Sequence, residues 1–208
     1  MKEKVHKFWK NLAPTLNNMV LNKDIDNYDS KEREEVLSYL PNFEGKKVLE
    51  LASGIGRFTG SLAEKGAHVE SIDYASHFLE TNQKTHKNFT NIHYQCIDAI
   101  DLDYPKDSFD LIFINWLFLY FTDQQLPYFF DQLKKWLTPG GYLFFRESCF
   151  SDMRNYEREE YMAIYRFHFE YEAAAKTTFE IIQEGMIETY IKHRNLTNQY
   201  YWLCQKKC

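Results

Sequence analysis

The stretch Val48-Leu-Glu50-Leu-Ala-Ser53-Gly54-Ile-Gly56-Arg57-Phe-Thr-Gly60 constrains this chain more than any other, because it reads as a buried strand that ends in an acid and turns through glycines into a helix. Gly54 and Gly56 permit a tight turn and let the backbone approach a ligand closely. Unpaired amides at the start of the following helix favour an anionic group. Such a turn suits a nucleoside-bearing cofactor, whereas a bare strand-to-helix turn needing positive φ is the alternative. The third glycine falls at 60, giving G-x-G-x-x-x-G where dinucleotide sites carry G-x-G-x-x-G, and this disfavours a nicotinamide or flavin.

The context of the turn separates these readings. A second apolar strand, Ala67 to Ile72, ends in Asp73, followed by Tyr74, where an acid can accept both hydroxyls of a ribose. A third, Ile92 to Ile97, ends in Asp98, placed to accept from the exocyclic amine of an adenine. Phe109 to Ile114 then runs into Asn115 and Trp116. Each acid taken singly reads equally as a helix N-cap or turn residue. In an open α/β sheet, however, the ligand lies outside the carboxyl ends of the strands, so Glu50, Asp73, Asp98 and Asn115 are expected to converge on one crevice.

Alternating elements support the same architecture. A polar helical segment runs to about Tyr39, and Pro41 and Gly45 mark the break before the first strand. Helical patterns fit 59–64, 76–85 and 123–137, the last with apolar residues at 126, 129, 130, 133, 136 and 137 on one face. A strand at 142–147 precedes a helix-rich insertion from Met153 to about Lys176, and 179–193 and 199–206 read as two closing strands. At 208 residues, with 44% hydrophobic and 17% aromatic residues, the chain has material for one sizeable core. The net charge of -5 argues against nucleic-acid or anionic-membrane surfaces, which rely on clustered Lys and Arg. A small-molecule substrate is therefore expected. The polar start and the shortness of the apolar run 111–121 predict no signal peptide, no membrane span and a cytoplasmic protein. Cys96, Cys149, Cys204 and Cys208 and the histidines show no metal-ligand spacing, so no metal site is expected, and Cys149 reads as a packed small hydrophobe.

Glu50-Leu-x-Ser-Gly-x-Gly, the acids at 73 and 98, and Pro139-Gly140-Gly141 before an apolar strand together resemble a class I S-adenosylmethionine-dependent methyltransferase. The runs 44–60, Asn115-Trp-Leu-Phe-Leu-Tyr120, 141–150 and 198–206 are more specific still, and resemble the first catalytic half of plant and nematode phosphoethanolamine N-methyltransferases. The resemblance implies a Rossmann-like α/β fold: a mostly parallel seven-stranded sheet with an antiparallel last strand and helices on both faces. It implies S-adenosylmethionine as cofactor, leaving as S-adenosylhomocysteine, held by Glu50, Ser53, Gly54, Gly56, Arg57, Asp73, Tyr74, Ile97, Asp98, Asn115 and Trp116. One domain over 1–208 is expected, with an N-terminal helical lid (1–40), a cofactor-binding core (45–150), a helical substrate lid (151–178) and closing strands (179–208).

Transfer of a methyl group to an amine requires a free lone pair, so a Tyr or His within hydrogen-bond reach is the usual helper. Tyr120 and Tyr165 are the catalytic candidates. Aromatic faces hold cations, which suits Trp9, Trp116 and Phe118, although packing is the ordinary role of such rings. A phosphorylated acceptor needs a basic partner, for which Arg146 and Arg166 are the candidates, with Tyr171 beside them; an ion pair with Glu147 or Asp73 is the alternative for Arg146. The family's lid pattern Tyr-Arg-x-x-Arg-x-Tyr is matched by Tyr165, Arg166 and Tyr171, with Phe169 at the second arginine. Its N-terminal Tyr-Trp pair stands here as Phe8-Trp9. The acceptor expected is the nitrogen of phosphoethanolamine or a related amine. The alternatives are an O-, S- or C-methylating enzyme with a changed pocket, and a non-catalytic methyltransferase-like subunit, against which the intact cofactor residues argue.

Overall fold

The computed structural model describes residues 2–21, 25–66, 68–150 and 163–207. Strands β1 (Lys47–Leu51), β2 (His68–Asp73), β3 (Ile92–Cys96), β4 (Phe109–Asn115), β5 (Leu137–Ser148), β6 (Phe179–Met186) and β7 (Gln199–Lys206) form one sheet in the order β3-β2-β1-β4-β5-β7-β6. Pairing is parallel from β3 through β5, and β7 runs antiparallel to both β5 and β6. The central strands are apolar without alternation, as expected when both faces of a parallel sheet are covered.

Helices α1 (Lys2–Asn11), α2 (Leu16–Val20), α3 (Asp29–Ser38), α4 (Thr59–Lys65), α5 (Ser76–Thr85), α6 (Gln125–Trp136), α7 (His168–Lys176) and α8 (Glu188–Arg194) surround the sheet. Two cores result, one on each face. Leu126, Phe129, Phe130, Leu133 and Trp136 of α6 repeat at helical spacing and pack with Ile112, Ile114 and Phe145. Ile25, Tyr28 and Val36 pack with Val48, Phe113 and Phe144 on the other face. No helix among the described residues is long and apolar enough to cross a membrane.

Most expected elements lie where the sequence puts them, with three differences. The strand expected over 179–193 ends at Met186, and α8 follows. Its first amides, those of Glu188 and Thr189, donate to the Glu35 carboxylate at 2.6 and 2.8 Å, so a cap from α3 starts a helix that local propensity does not announce. β5 begins at Leu137, before the Pro139-Gly140-Gly141 turn, with a register irregularity opposite 109–111. Of the helix-rich insertion, α7 lies within the described residues and 151–162 outside them.

Candidate functional site

The carboxyl ends of β1, β2 and β4 and the segment after β3 open onto a cavity of about 300 Å³, with Glu50, Asp73, Asp98 and Asn115 in its wall. The turn after β1 owes its shape to positive φ at Ala52 (56°), Gly54 (56°) and Gly56 (87°). A β-carbon at Gly54 would come within 2.1 Å of Met19 Cε, and one at Gly56 within 2.1 Å of Asn82 Oδ1. These glycines shape the cavity from behind: the Gly54 amide donates to Asp73 Oδ2 at 2.9 Å, while Ser53 and Arg57 face the space.

Asp73 is buried, and desolvation pushes its pKa up to about 6 against the amides of Ala75 and Gly54. Each oxygen takes one amide, and a carboxylate has about four acceptor positions, so capacity for two more donors remains. Glu50 is pushed up to about 8 by burial, partly offset by the hydroxyls of Thr59 (2.5 Å) and Ser71 (3.2 Å). Asn82 donates to both hydroxyls, so the acid also ties α4 and α5 to the strand ends. Asp98 Oδ1 accepts from the Ile100 amide, and Oδ2 lies 2.9 Å from His6 Nε2 and 3.1 Å from Lys2 Nζ. His6 stacks on Tyr74 with ring centroids 4.1 Å apart, and the Tyr74 hydroxyl donates to the Val5 carbonyl. Helix α1 thus lies against Asp98 and Tyr74, with Ile97 beside them in the wall.

Aromatic rings line the same cavity. Trp9 meets Tyr120 edge-on at 6.1 Å, and Trp116, Tyr165, Tyr190 and Gln199 complete it. Trp116 carries φ of +61°, rare for a bulky residue, and is secured by an indole N–H donated to Gln199 and a backbone amide donated to Arg146.

The expected basic partners lie elsewhere. Arg146 is fully buried: Nη1 is paired with Glu32, also fully buried, and the guanidinium sits against the rings of Trp116 (4.1 Å) and Tyr190 (4.9 Å). Neither Glu147 nor Asp73 is its partner; the ion pair comes from α3. Arg166 donates to the carbonyls of Phe118 and Phe121 and to Asp123, and Tyr171 is buried against Phe145 and Trp202. None of Arg146, Arg166 or Tyr171 lines the cavity, because each has been drawn into the core by charge or ring partners. Phe118 is likewise in the core, and Phe169 is 54% exposed outside the cavity. Cys149 is buried, and burial pushes its thiol well up.

Arg194, at the end of α8, is a basic side chain that the sequence reading missed, as is Lys2 of α1, which also lines the cavity. Arg194 lines the cavity with its guanidinium 5.9 Å from the Tyr190 ring, and no carboxylate pairs with it among the described residues. Reading 179–193 as one strand concealed it, since only the α8 turn brings it back to the strand ends. His6 was missed for a similar reason: its use depends on where α1 docks.

Two buried polar atoms in the wall lack partners among the described residues, Ser53 Oγ and Arg57 Nη1. Arg57's other nitrogens are paired with Asp29 and Glu32. A nucleoside with hydroxyl, amine and carboxylate groups fits these donors and the acids at 73 and 98. Comparison with known proteins agrees. A family profile described as a methyltransferase domain matches residues 48–141. The chain is 36% identical over 205 residues to phosphoethanolamine N-methyltransferase 1 of Arabidopsis thaliana, covering 92% of this chain and 42% of that one. It is 31% identical over 220 residues to the Caenorhabditis elegans protein of the same name, covering 96% and 46%. Haemonchus contortus phosphoethanolamine N-methyltransferase 1, solved with phosphoethanolamine and S-adenosylhomocysteine, superposes with a TM-score of 0.90 at 30% identity, covering 99% of this chain and 49% of that one. The chain therefore spans about half the length of these relatives.

Proposed function

We propose, from the premise that the chain belongs to the class I S-adenosylmethionine-dependent methyltransferases, that it methylates the amine nitrogen of a small acceptor bearing an anionic group, phosphoethanolamine being the first candidate. One observation carries the reading: a single cavity brings together buried acids, polar atoms unpartnered among the described residues, aromatic rings and Arg194. When bound, S-adenosylmethionine supplies a methyl group on a sulfonium, an electrophile that needs no metal or redox partner. Asp73 would accept the ribose hydroxyls, and Asp98, flanked by Ile97 and Tyr74, the adenine amine. Ser53 Oγ and Arg57 Nη1 would receive the aminoacyl end.

For the acceptor, the protein's task is alignment, exclusion of water and removal of one proton. The faces of Trp9 and Trp116 suit an ammonium, and the hydroxyls of Tyr120 and Tyr165 are the proton acceptors available where Phe8 offers none. Arg194 would pair with the anionic group, the part first assigned to Arg146 and Arg166. Helix α1 and the segment around Tyr165 would act as the two lids.

A methyl-transfer assay with phosphoethanolamine, ethanolamine, a thiol and a phenol tests this. Phosphoethanolamine should be turned over, and Arg194→Ala should raise its KM by at least ~10-fold, the scale of one lost charge-assisted contact, without weakening S-adenosylhomocysteine. Turnover of the thiol or phenol alone would replace the reading with that of an S- or O-methylating enzyme. Cofactor binding with no turnover of any acceptor would favour the non-catalytic alternative.

A further inference from the structure

The turn that carries Trp116 and Tyr120 into the cavity is held from outside the cavity on two sides. On one, the buried carboxylate of Glu147 accepts three successive backbone amides: Leu117 (2.9 Å) and Phe118 (2.7 Å) on Oε1, and Leu119 (3.3 Å) on Oε2. On the other, Arg166 donates to the carbonyls of Phe118 (3.2 Å) and Phe121 (2.6 Å) and to Asp123 at the end of the turn. The segment bearing Arg166 is stitched to the same turn, since the Ile164 amide donates to the Leu119 carbonyl at 2.6 Å. Amides and carbonyls of a short 3-10 turn (Phe118–Tyr120) are thus satisfied by one buried carboxyl group, whose pKa burial pushes up to about 8 against these amides, and one guanidinium, in a place where no helix of useful length supplies partners.

We infer that Glu147 and Arg166 are positioning residues that together cast the turn 116–123, so that Trp116 keeps its positive φ and Tyr120 stands against Trp9 in the cavity wall. Neither side chain lines the cavity, so both act through the turn. A bulky residue held at positive φ persists only where its surroundings over-determine it, and this clamp, with Gln199 and the Arg146 carbonyl, supplies that determination. The consequence for chemistry rests on the amine-methylating reading above, whereas the clamp itself is read from the hydrogen bonds.

Glu147→Gln separates the two. The isosteric amide keeps a carbonyl oxygen for the two amides on Oε1, but sets an NH2 donor against the Leu119 amide. Hydrogen exchange at Leu119 should quicken by at least ~10-fold, with smaller changes at Leu117 and Phe118 and none in β1. With phosphoethanolamine, kcat should fall by ~10- to 100-fold, the scale expected when a reacting geometry drifts by about 1 Å. KM should change less, and the calorimetric Kd for S-adenosylhomocysteine should stay within about twofold. Arg166→Lys keeps the charge but lacks the fork, and should show the same split. Unchanged exchange at Leu119 in a folded Glu147→Gln overturns the clamp. Quickened exchange with unchanged kcat overturns its positioning role and leaves plain structural support. If the natural protein methylates no amine, the proposed function falls, and the exchange arm still decides for or against the clamp.

Discussion

Two sets of side chains in the cavity wall are built on different terms. Glu50 and Asp73, proposed for the cofactor, end parallel strands, and their hydrogen bonds stay among strand ends and adjoining turns: Asp73 to the turn at Gly54 and to Ala75 two residues on, Glu50 to Thr59 and Ser71. The side chains proposed for the acceptor come from α1, the turn after β4, Tyr165, α8 and the start of β7, and what holds that region is remote in sequence, such as Glu32 on Arg146 and Glu35 on α8. A strand end can be found by periodicity. A charge that is paired from across the molecule cannot be distinguished in sequence from one that waits for a ligand.

The comparison breaks most visibly at Glu32, whose carboxylate holds both Arg57 and Arg146. Glu32→Ala leaves Arg146 fully buried with no carboxylate among the described residues, and should cost about 3–5 kcal/mol of stability in a urea titration. A loss under 1 kcal/mol would mean that Arg146 can turn to solvent or ligand, restoring it as a phosphate candidate.

Among the cofactor residues, Gly54→Val puts a branched β-carbon at positive φ, into Met19 and the turn itself. S-adenosylhomocysteine affinity should fall by at least ~100-fold in calorimetry, about 2.8 kcal/mol at 1.4 kcal/mol per tenfold. Normal affinity would reduce the turn to a structural element.

Asp73→Ala should weaken the same ligand by about 1.5–3 kcal/mol, the loss of a charge-assisted bond, with the fold retained. The pH dependence has a definite sign. Burial sets the Asp73 pKa at about 6, above the ordinary carboxylate value, so the acceptor form is present above that pH and is lost as pH falls through it. S-adenosylhomocysteine affinity should therefore decline between pH 7 and 5 in the natural protein, and this component should be missing in Asp73→Asn. A flat profile for the natural protein would remove Asp73 from the ribose site.

The smallest effect is expected at Phe169, where the resemblance places an arginine. Its ring is exposed, stacked on Phe167 and outside the cavity. Phe169→Arg should change stability by no more than ~0.5 kcal/mol and leave the KM for phosphoethanolamine unaltered. A marked fall in KM would show that α7 reaches the acceptor after all.

Much of the fold was legible because its signals are local. The helix at Ser76–Thr85, the strand at Gln199–Lys206 and the glycine turn at 54 and 56 sit where the sequence reading puts them. The misplaced strand over 187–193 shows the limit: Glu188 and Thr189 find their amide acceptor on Glu35, in another helix, and no window of neighbouring residues contains it. Arg166 shows a second limit. Its pattern with Tyr165 was seen, but two of its partners are backbone carbonyls, which have no sequence signature, and the third, Asp123, lies 43 residues away.

The sequence by itself therefore determined the alternating sheet, the turn after β1 and the acids that end its strands, because hydrophobic periodicity and backbone sterics act within a few residues. Only the tertiary structure decided which charges are spent. Burying Arg146 and Arg166 required each to be paired or hydrogen-bonded, and the groups that do so, Glu32 for one and the turn around Phe118 and Asp123 for the other, lie far away in sequence. With both guanidiniums committed to the scaffold, the basic side chain proposed to meet an anion in the cavity is Arg194, on a helix whose start is capped from α3.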